Sequence, residues 1–229
     1  MKILFVGDMH GFFEHLTTVA KRTNADKIVQ VGDLGIMPRA GYNLPANLVF
    51  TKPTYFIEGN HDDVDYIERQ TEWPDNLHYM VRGADRVWDG MRFGFLGGGD
   101  SIDKYARTEG VDWFRRELPT LVEVEMLAKR QPDVVVTHEC PAFITKEYFG
   151  FTTDDPLAYD LQNALKHIPK FKPKVWFFGH HHRKLLVKHD GILFCGLACF
   201  GMEGDEAMLD TERCMVEIGR LEAPYDEGF

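Results

Sequence analysis

Twice within its first 33 residues the chain runs through a short apolar stretch and stops on Gly-Asp. Lys2-Ile3-Leu4-Phe5-Val6 leads into Gly7-Asp8, and Lys27-Ile28-Val29-Gln30-Val31 leads into Gly32-Asp33. Short apolar, β-branched runs closed by glycine read as buried strands. Between them Phe12, Phe13, Leu16, Val19 and Ala20 recur at helical spacing, which predicts an amphipathic helix over residues 12–23 with Asn24 as its stop. Strand, helix and strand in this order open a parallel α/β sheet. Both aspartates then stand at the carboxyl ends of neighbouring strands, where such sheets place their sites.

The same punctuation recurs along the chain. Thr54-Tyr55-Phe56-Ile57 runs into Glu58-Gly59-Asn60-His61-Asp62, residues 133–137 into His138-Glu139-Cys140-Pro141, and Val175-Trp176-Phe177-Phe178 into Gly179-His180-His181-His182. Five strand ends, read as one sheet edge, therefore carry Asp8 with His10, Asp33, Asn60, His138, and His180 with His182. Side chains alternate along extended backbone, so Asp8 and His10 point the same way. His61 and its neighbour Asn60 point apart, which leaves one for a metal and the other for substrate. Singly, each residue is better explained as a helix cap or a structural histidine. Together, carboxylate, amide and imidazole donors suit divalent first-row cations. Seven such donors exceed one tetrahedral ion and match two ions about 3.5–4 Å apart sharing a carboxylate.

The remaining chain is less specific. Residues 34–53 are broken by Gly35, Pro38, Gly41, Pro45 and Pro53, and residues 78–97 read as short hairpin strands around Asp89-Gly90, making the sheet partly antiparallel. Gly97-Gly98-Gly99 opens a polar segment, residues 100–119, that contains Lys104, Arg107, Arg115 and Arg116. A solvated charged face is its simplest reading, and a substrate-side loop the competing one. Helices are predicted over 120–130 and 157–167, a loop over 142–156, a hairpin around Asp190-Gly191 and a last strand over 214–218, while the tail 221–229 shows no packing pattern. No linker or repeat divides the chain, so residues 1–229 read as a single domain. A formal net charge of −10 disfavours nonspecific contact with nucleic acid or anionic membrane, although bound cations would offset part of it. Cys140, Cys195, Cys199 and Cys214 form no paired motif and read as free thiols. With neither a leader pattern nor an apolar run of about 20 residues, the expectation is a soluble, cytoplasmic protein.

In this order, D-x-H, G-D, G-N-H-D, a lone H after a strand and G-H-x-H, the chain resembles the calcineurin-like metallophosphoesterase superfamily over most of its length. The resemblance implies an α/β fold: a mixed two-sheet β-sandwich flanked by helices, in four layers. It also implies two divalent metal ions, Mn²⁺ first, with Fe, Zn²⁺ or Ni²⁺ as alternatives. Asp8, His10 and His182 would hold the first ion, Asn60, His138 and His180 the second, and Asp33 both. A hydroxide held between the ions would attack a phosphomonoester or phosphodiester, with His61 as general acid at the leaving group. His181 is expected to be structural or solvent-facing, and Asp62 or Asp63 to cap the next helix.

The chain departs from the protein Ser/Thr phosphatase branch, whose second motif continues as G-D-x-x-D-R-G. Here Gly32-Asp33 continues as Leu34-Gly35-Ile36-Met37-Pro38-Arg39, without the second aspartate and with the arginine displaced. Residues 53–99 resemble the RNA lariat-debranching branch weakly, and the net acidity does not favour a nucleic-acid substrate. The expected substrate is a phosphorylated small molecule or nucleotide, with Arg39, Lys104 and Arg107 as candidate contacts. A non-catalytic, metal-bound interaction scaffold is the alternative of another class. It would show eroded ligands, and all seven are present.

Overall fold

Period-two alternation in the strands sorts their apolar side chains onto two faces, and both faces are covered. The computed structural model describes residues 1–219, so the tail 221–229 lies outside the described residues. Twelve strands form two six-stranded sheets among the described residues. In the first, β1 (Lys2–Val6), β2 (Lys27–Gln30), β3 (Thr54–Phe56) and β4 (Leu77–Tyr79) run parallel. β11 (Glu206–Asp210) adds antiparallel to β1, and β12 (Met215–Ile218) closes that edge. In the second sheet β6 (Met91–Leu96), β7 (Val134–Thr137), β8 (Val175–Phe178) and β10 (Ile192–Gly196) are parallel. Antiparallel β5 (Asp85–Trp88) and β9 (Leu185–His189) stand at its two edges.

Between the sheets pack Ile3 and Phe5 of β1, Val29 of β2, Phe93 and Phe95 of β6, Val134 and Val136 of β7, and Val175 and Phe177 of β8. Phe5 and Phe177 stack across the gap with ring centroids 3.5 Å apart. The alternate residues face outwards. Leu4, Val6 and Ile28 pack with Leu16, Val19 and Ala20 of α1 (Phe13–Arg22) and Ile67 of α2 (Val64–Arg69). Val135, Trp176 and Phe178 pack with Val124 and Leu127 of α3 (Leu121–Lys129) and Leu157 and Leu161 of α5 (Pro156–His167). Helix, sheet, sheet and helix form the four layers expected. Each fully buried Phe, Leu or Val contributes roughly 1.5–3 kcal/mol.

Four points differ from the sequence reading. The ligand-bearing strand ends do not share one sheet edge: β1, β2 and β3 belong to the first sheet, β7 and β8 to the second. Sequence order does not reveal where a chain switches sheets. Residues 142–149, expected in a loop, are helical, as α4 (Ala142–Ile144) and a wider turn over Thr145–Phe149. Buried Ile144 and the Thr145 hydroxyl bond to Ala142 O hold that segment. Strand β11 was not foreseen, because Glu-Ala-Met-Leu-Asp carries charge at both ends. Glu206 is nevertheless buried and paired with Arg22 of α1. Leu77–Tyr79 joins β3 in parallel, and the antiparallel hairpin is formed by β5 and β6. No helix among the described residues is long and apolar enough to cross a membrane.

Candidate metal centre

The loops after β1, β2, β3, β7 and β8 converge, and their backbone is forced into uncommon shapes to do so. His10, Asp33, His180 and His182 adopt φ of 43°, 55°, 63° and 51°. Non-glycine residues seldom occupy this left-handed region, and clusters of them mark functional sites. Two glycines permit the close approach. A Cβ at Gly32, itself at φ 103°, would strike the His138 imidazole, and one at Gly179 would strike the Asp8 carboxylate. Buried Gln30 ties the first two loops together, its amide nitrogen donating to the carbonyls of Gly7 and Gly32.

Six of the seven candidate donors fall into two adjoining groups, while His180 turns its Nε2 to Glu139 Oε2 at 3.5 Å. His182 Nε2 lies 3.0 Å from Asp8 Oδ2 and 3.0 Å from His10 Nε2, and His10 Nε2 lies 3.8 Å from Asp33 Oδ2. His138 Nε2 lies 3.1 Å from Asn60 Oδ1 and 3.4 Å from Asp33 Oδ1. Asp33 thus turns one oxygen to each group. Donors about 2.0–2.1 Å from a common ion stand about 3.0 Å apart at right angles and about 3.4 Å apart at the tetrahedral angle. The separations of 3.0–3.4 Å match the edges of such polyhedra, the 3.8 Å between His10 and Asp33 is wider, and residues of this kind fit divalent cations. His138 Nδ1 is 3.0 Å from Val31 O, which can only accept; that fixes the proton on Nδ1 and leaves Nε2 for a cation.

The electrostatics agree. Burial alone would raise the Asp33 pKa, but the facing His138, His61 and His10 hold it well below the carboxylate range. Burial would lower that of His138, yet Asp33 and Asp8 push it up to about 10. The hydrogen bond to Asp8 raises that of His182. Buried carboxylates here draw positive charge onto whatever faces them, in a pocket of imidazoles that a metal can deprotonate.

His61 is placed apart from these donors. Its backbone N–H donates to Asp33 Oδ1 at 2.7 Å, its ring meets His10 edge-on at 4.9 Å, and Arg107 Nη2 lies 2.8 Å from its Nε2. Burial, partly offset by Asp33, and the Arg107 charge lower its pKa. Both border a cleft of about 650 Å³ that is also lined by Asp33, Asn60, Ile102, Phe151 and His182. Of the other candidate substrate contacts, Arg39 donates to Gly110 O at 2.9 Å and Lys104 pairs with Asp100 at 2.7 Å; neither lines this cleft.

Asp62 or Asp63 was expected as a helix cap and His181 as structural or solvent-facing; the other supporting residues were not singled out from the sequence. Asp62 is buried and accepts backbone N–H bonds from Gly59, Leu34, Gly35 and Ile36, bracing two loops, while Asp63 caps α2 through Tyr66 N. Asn60 Nδ2 donates to Ser101 Oγ at 3.1 Å, and Ser101 Oγ donates to Glu117 Oε2 at 2.6 Å, so the amide oxygen of Asn60 is turned towards His138. Buried Arg82, paired with Glu58, holds the carbonyls of Arg116, Glu117 and Leu118. Cys199 stands near His10 and His182. Glu139 is fully buried and accepts from His181 Nε2 at 2.7 Å; His181 is accordingly a structural residue. A Glu directly after a candidate ligand histidine was the one visible signal among these.

Proteins of known sequence and structure resemble this chain. A protein of Haemophilus influenzae, itself described as uncharacterized, is 27% identical over 213 residues, spanning 81% of this chain and 85% of that one. Among solved structures, phosphopantetheinyl hydrolase from Mycobacterium tuberculosis matches with a TM-score of 0.53 at 15% identity, covering 99% of this chain and 98% of that one. GAP50, the anchor in the inner membrane complex of Plasmodium, matches with a TM-score of 0.51 at 11% identity, covering 92% and 81%. At such identities these likenesses concern the fold alone. The sequence profile of the calcineurin-like phosphoesterases matches residues 1–184, the part that carries all seven candidate ligands, and the chain belongs to that family.

Proposed function

We propose that the cleft hydrolyses a small phosphomonoester or phosphodiester with two divalent cations. Asp8, His10 and His182 would hold one, Asn60, His138 and His180 the other, and Asp33 both. The observation that carries this reading is Asp33: one oxygen faces His10 at 3.8 Å and the other faces His138 at 3.4 Å. When bound, such ions neutralise charge on the phosphoryl oxygens and lower the pKa of a coordinated water. The chain's own residues do the rest. His61, at the cleft edge, would deliver a proton to the departing oxygen once Arg107, which can only donate and faces its Nε2, turns to a phosphoryl oxygen and Nε2 is protonated. Arg107, 2.8 Å from it, is placed to take a phosphoryl oxygen. A cleft of about 650 Å³ suits a phosphorylated small molecule or a nucleotide. The test is hydrolysis of aryl phosphomono- and diesters by wild type and Asp33→Asn, with metal content measured alongside. Loss of both turnover and an ion in the variant is the expected result, and wild-type turnover in it would refute the shared-carboxylate role.

A further inference from the structure

Glu139 follows a candidate ligand, yet its carboxylate faces away from that histidine and towards the G-H-x-H loop. The side chain is fully buried. Its Oε1 takes the N–H of His181 at 2.7 Å and the backbone N–H of Cys140. Its Oε2 is buried and takes no N–H among the described residues; it faces His180 Nε2 at 3.5 Å, with the Asp155 carboxyl, whose pKa burial and Glu139 raise, close beside it. A buried anionic oxygen left unpaired is costly, so the atom opposite it should be a donor. The other edge of the His180 ring, Cε1 and Nδ1, looks across Gly99 towards His138, whose ring centroid is 4.9 Å away.

We propose that Glu139 is a positioning residue for the second cation: Oε2 takes the Nε2–H of His180, so that this ring presents Nδ1 to the group formed by Asp33, Asn60 and His138. This rests on the two-cation reading and deepens it. Carboxylates that take the far N–H of a ligating histidine fix its tautomer and orientation, and removing them typically costs about 10–100-fold in metal affinity. The same carboxylate locks His181, so one buried group sets both histidines that precede His182. Asp155, which caps α5 and takes the backbone N–H of Asp100 at 2.8 Å, lies against Glu139 and ties this anchor to the segment that carries Arg107.

The test uses the whole chain. Zinc binding is titrated by chelator competition for wild type, Glu139→Ala and the isosteric Glu139→Gln, with unfolding of the metal-free proteins as the folding control. Long-range ¹H–¹⁵N spectra of the zinc-loaded proteins report the His180 tautomer. The expected result is one of two sites weakened by about 10–100-fold in Glu139→Ala, less in Glu139→Gln, with the Nε2–H tautomer of His180 present in wild type. Equal weakening of both sites would mean a diffuse charge effect, and three ions falling to two would make Glu139 a ligand. Either result, or an Nδ1–H tautomer in wild type, overturns the proposal. Two tight sites and intact turnover with any of these outcomes would leave the phosphoesterase reading standing, whereas wild type that binds no metal would remove both.

Discussion

Asp33 and His138 share a proton economy that metal binding must disturb. Against the cost of burial, Asp33 pushes the His138 pKa up to about 10, which favours a second proton, on Nε2, when no metal is bound. A cation at Nε2 must displace it, so binding at the second site should release about one proton per chain at pH 7–8 and tighten as pH rises. Calorimetry in buffers of different ionisation enthalpy reads that proton directly; metal uptake without proton release would mean His138 is not a ligand. The sign for stability follows from the same pair. A group whose folded pKa is raised stabilises fully below its unfolded value, near 6.5, and the contribution fades as pH climbs through about 10. His61 has a different signature. His61→Ala should retain both ions by elemental analysis and lose about 10²–10⁴-fold in turnover. A variant that instead sheds an ion would reassign His61 as a ligand.

Among elements, the short strand closed by Gly-Asp or Gly-His is the unit of the site, and it was legible for a physical reason. Apolar runs of four or five residues buried on both faces, as in β1, β7 and β8, leave no polar alternation to confuse them, and after β1 and β8 the glycine that follows is required by close packing. Gly179→Ala tests that requirement. Its Cβ would meet the Asp8 carboxylate, so the first cation site should weaken while the sheet stays folded, as read by metal titration beside circular dichroism. An unchanged first site would show that the loop gives way. Less legible were elements whose apolar signal is diluted. β11 has charged ends, one of them buried against Arg22, and residues 142–149 turn helical around a single buried isoleucine, Ile144. The bracing groups were illegible for a related reason. Asp62, Ser101, Glu117 and Glu139 act over sequence gaps of up to 42 residues, as in the Glu139–His181 bond, and no local pattern encodes that.

At the scale of the molecule, two sheets each bring part of one site. β1, β2 and β3 supply Asp8, His10, Asp33 and Asn60, while β7 and β8 supply His138, His180 and His182. Cations bridging these groups would clamp the sandwich at that end. Metal addition to about 100 times the dissociation constant should therefore raise stability by about 2.7 kcal/mol per site, visible as a higher unfolding midpoint that Asp33→Asn largely loses. The clamp depends in turn on the packing between the sheets. Phe177→Ala, which removes the ring stacked on Phe5, should cost about 3–5 kcal/mol in urea unfolding. The sequence order of the motifs made the four-layer family fold readable, but not which strands share a sheet. That is decided by the sandwich core of Phe5, Phe93, Phe95 and Phe177, whose partners are distant in the chain.

The most direct measurement is turnover of an aryl phosphomonoester and an aryl phosphodiester by chelator-stripped protein as Mn²⁺ is restored, with bound metal counted at each step. Two-cation hydrolysis predicts no turnover by the stripped protein and its return as the second ion per chain binds. Full activity in chelator, or no hydrolysis of either ester with both ions in place, would contradict it.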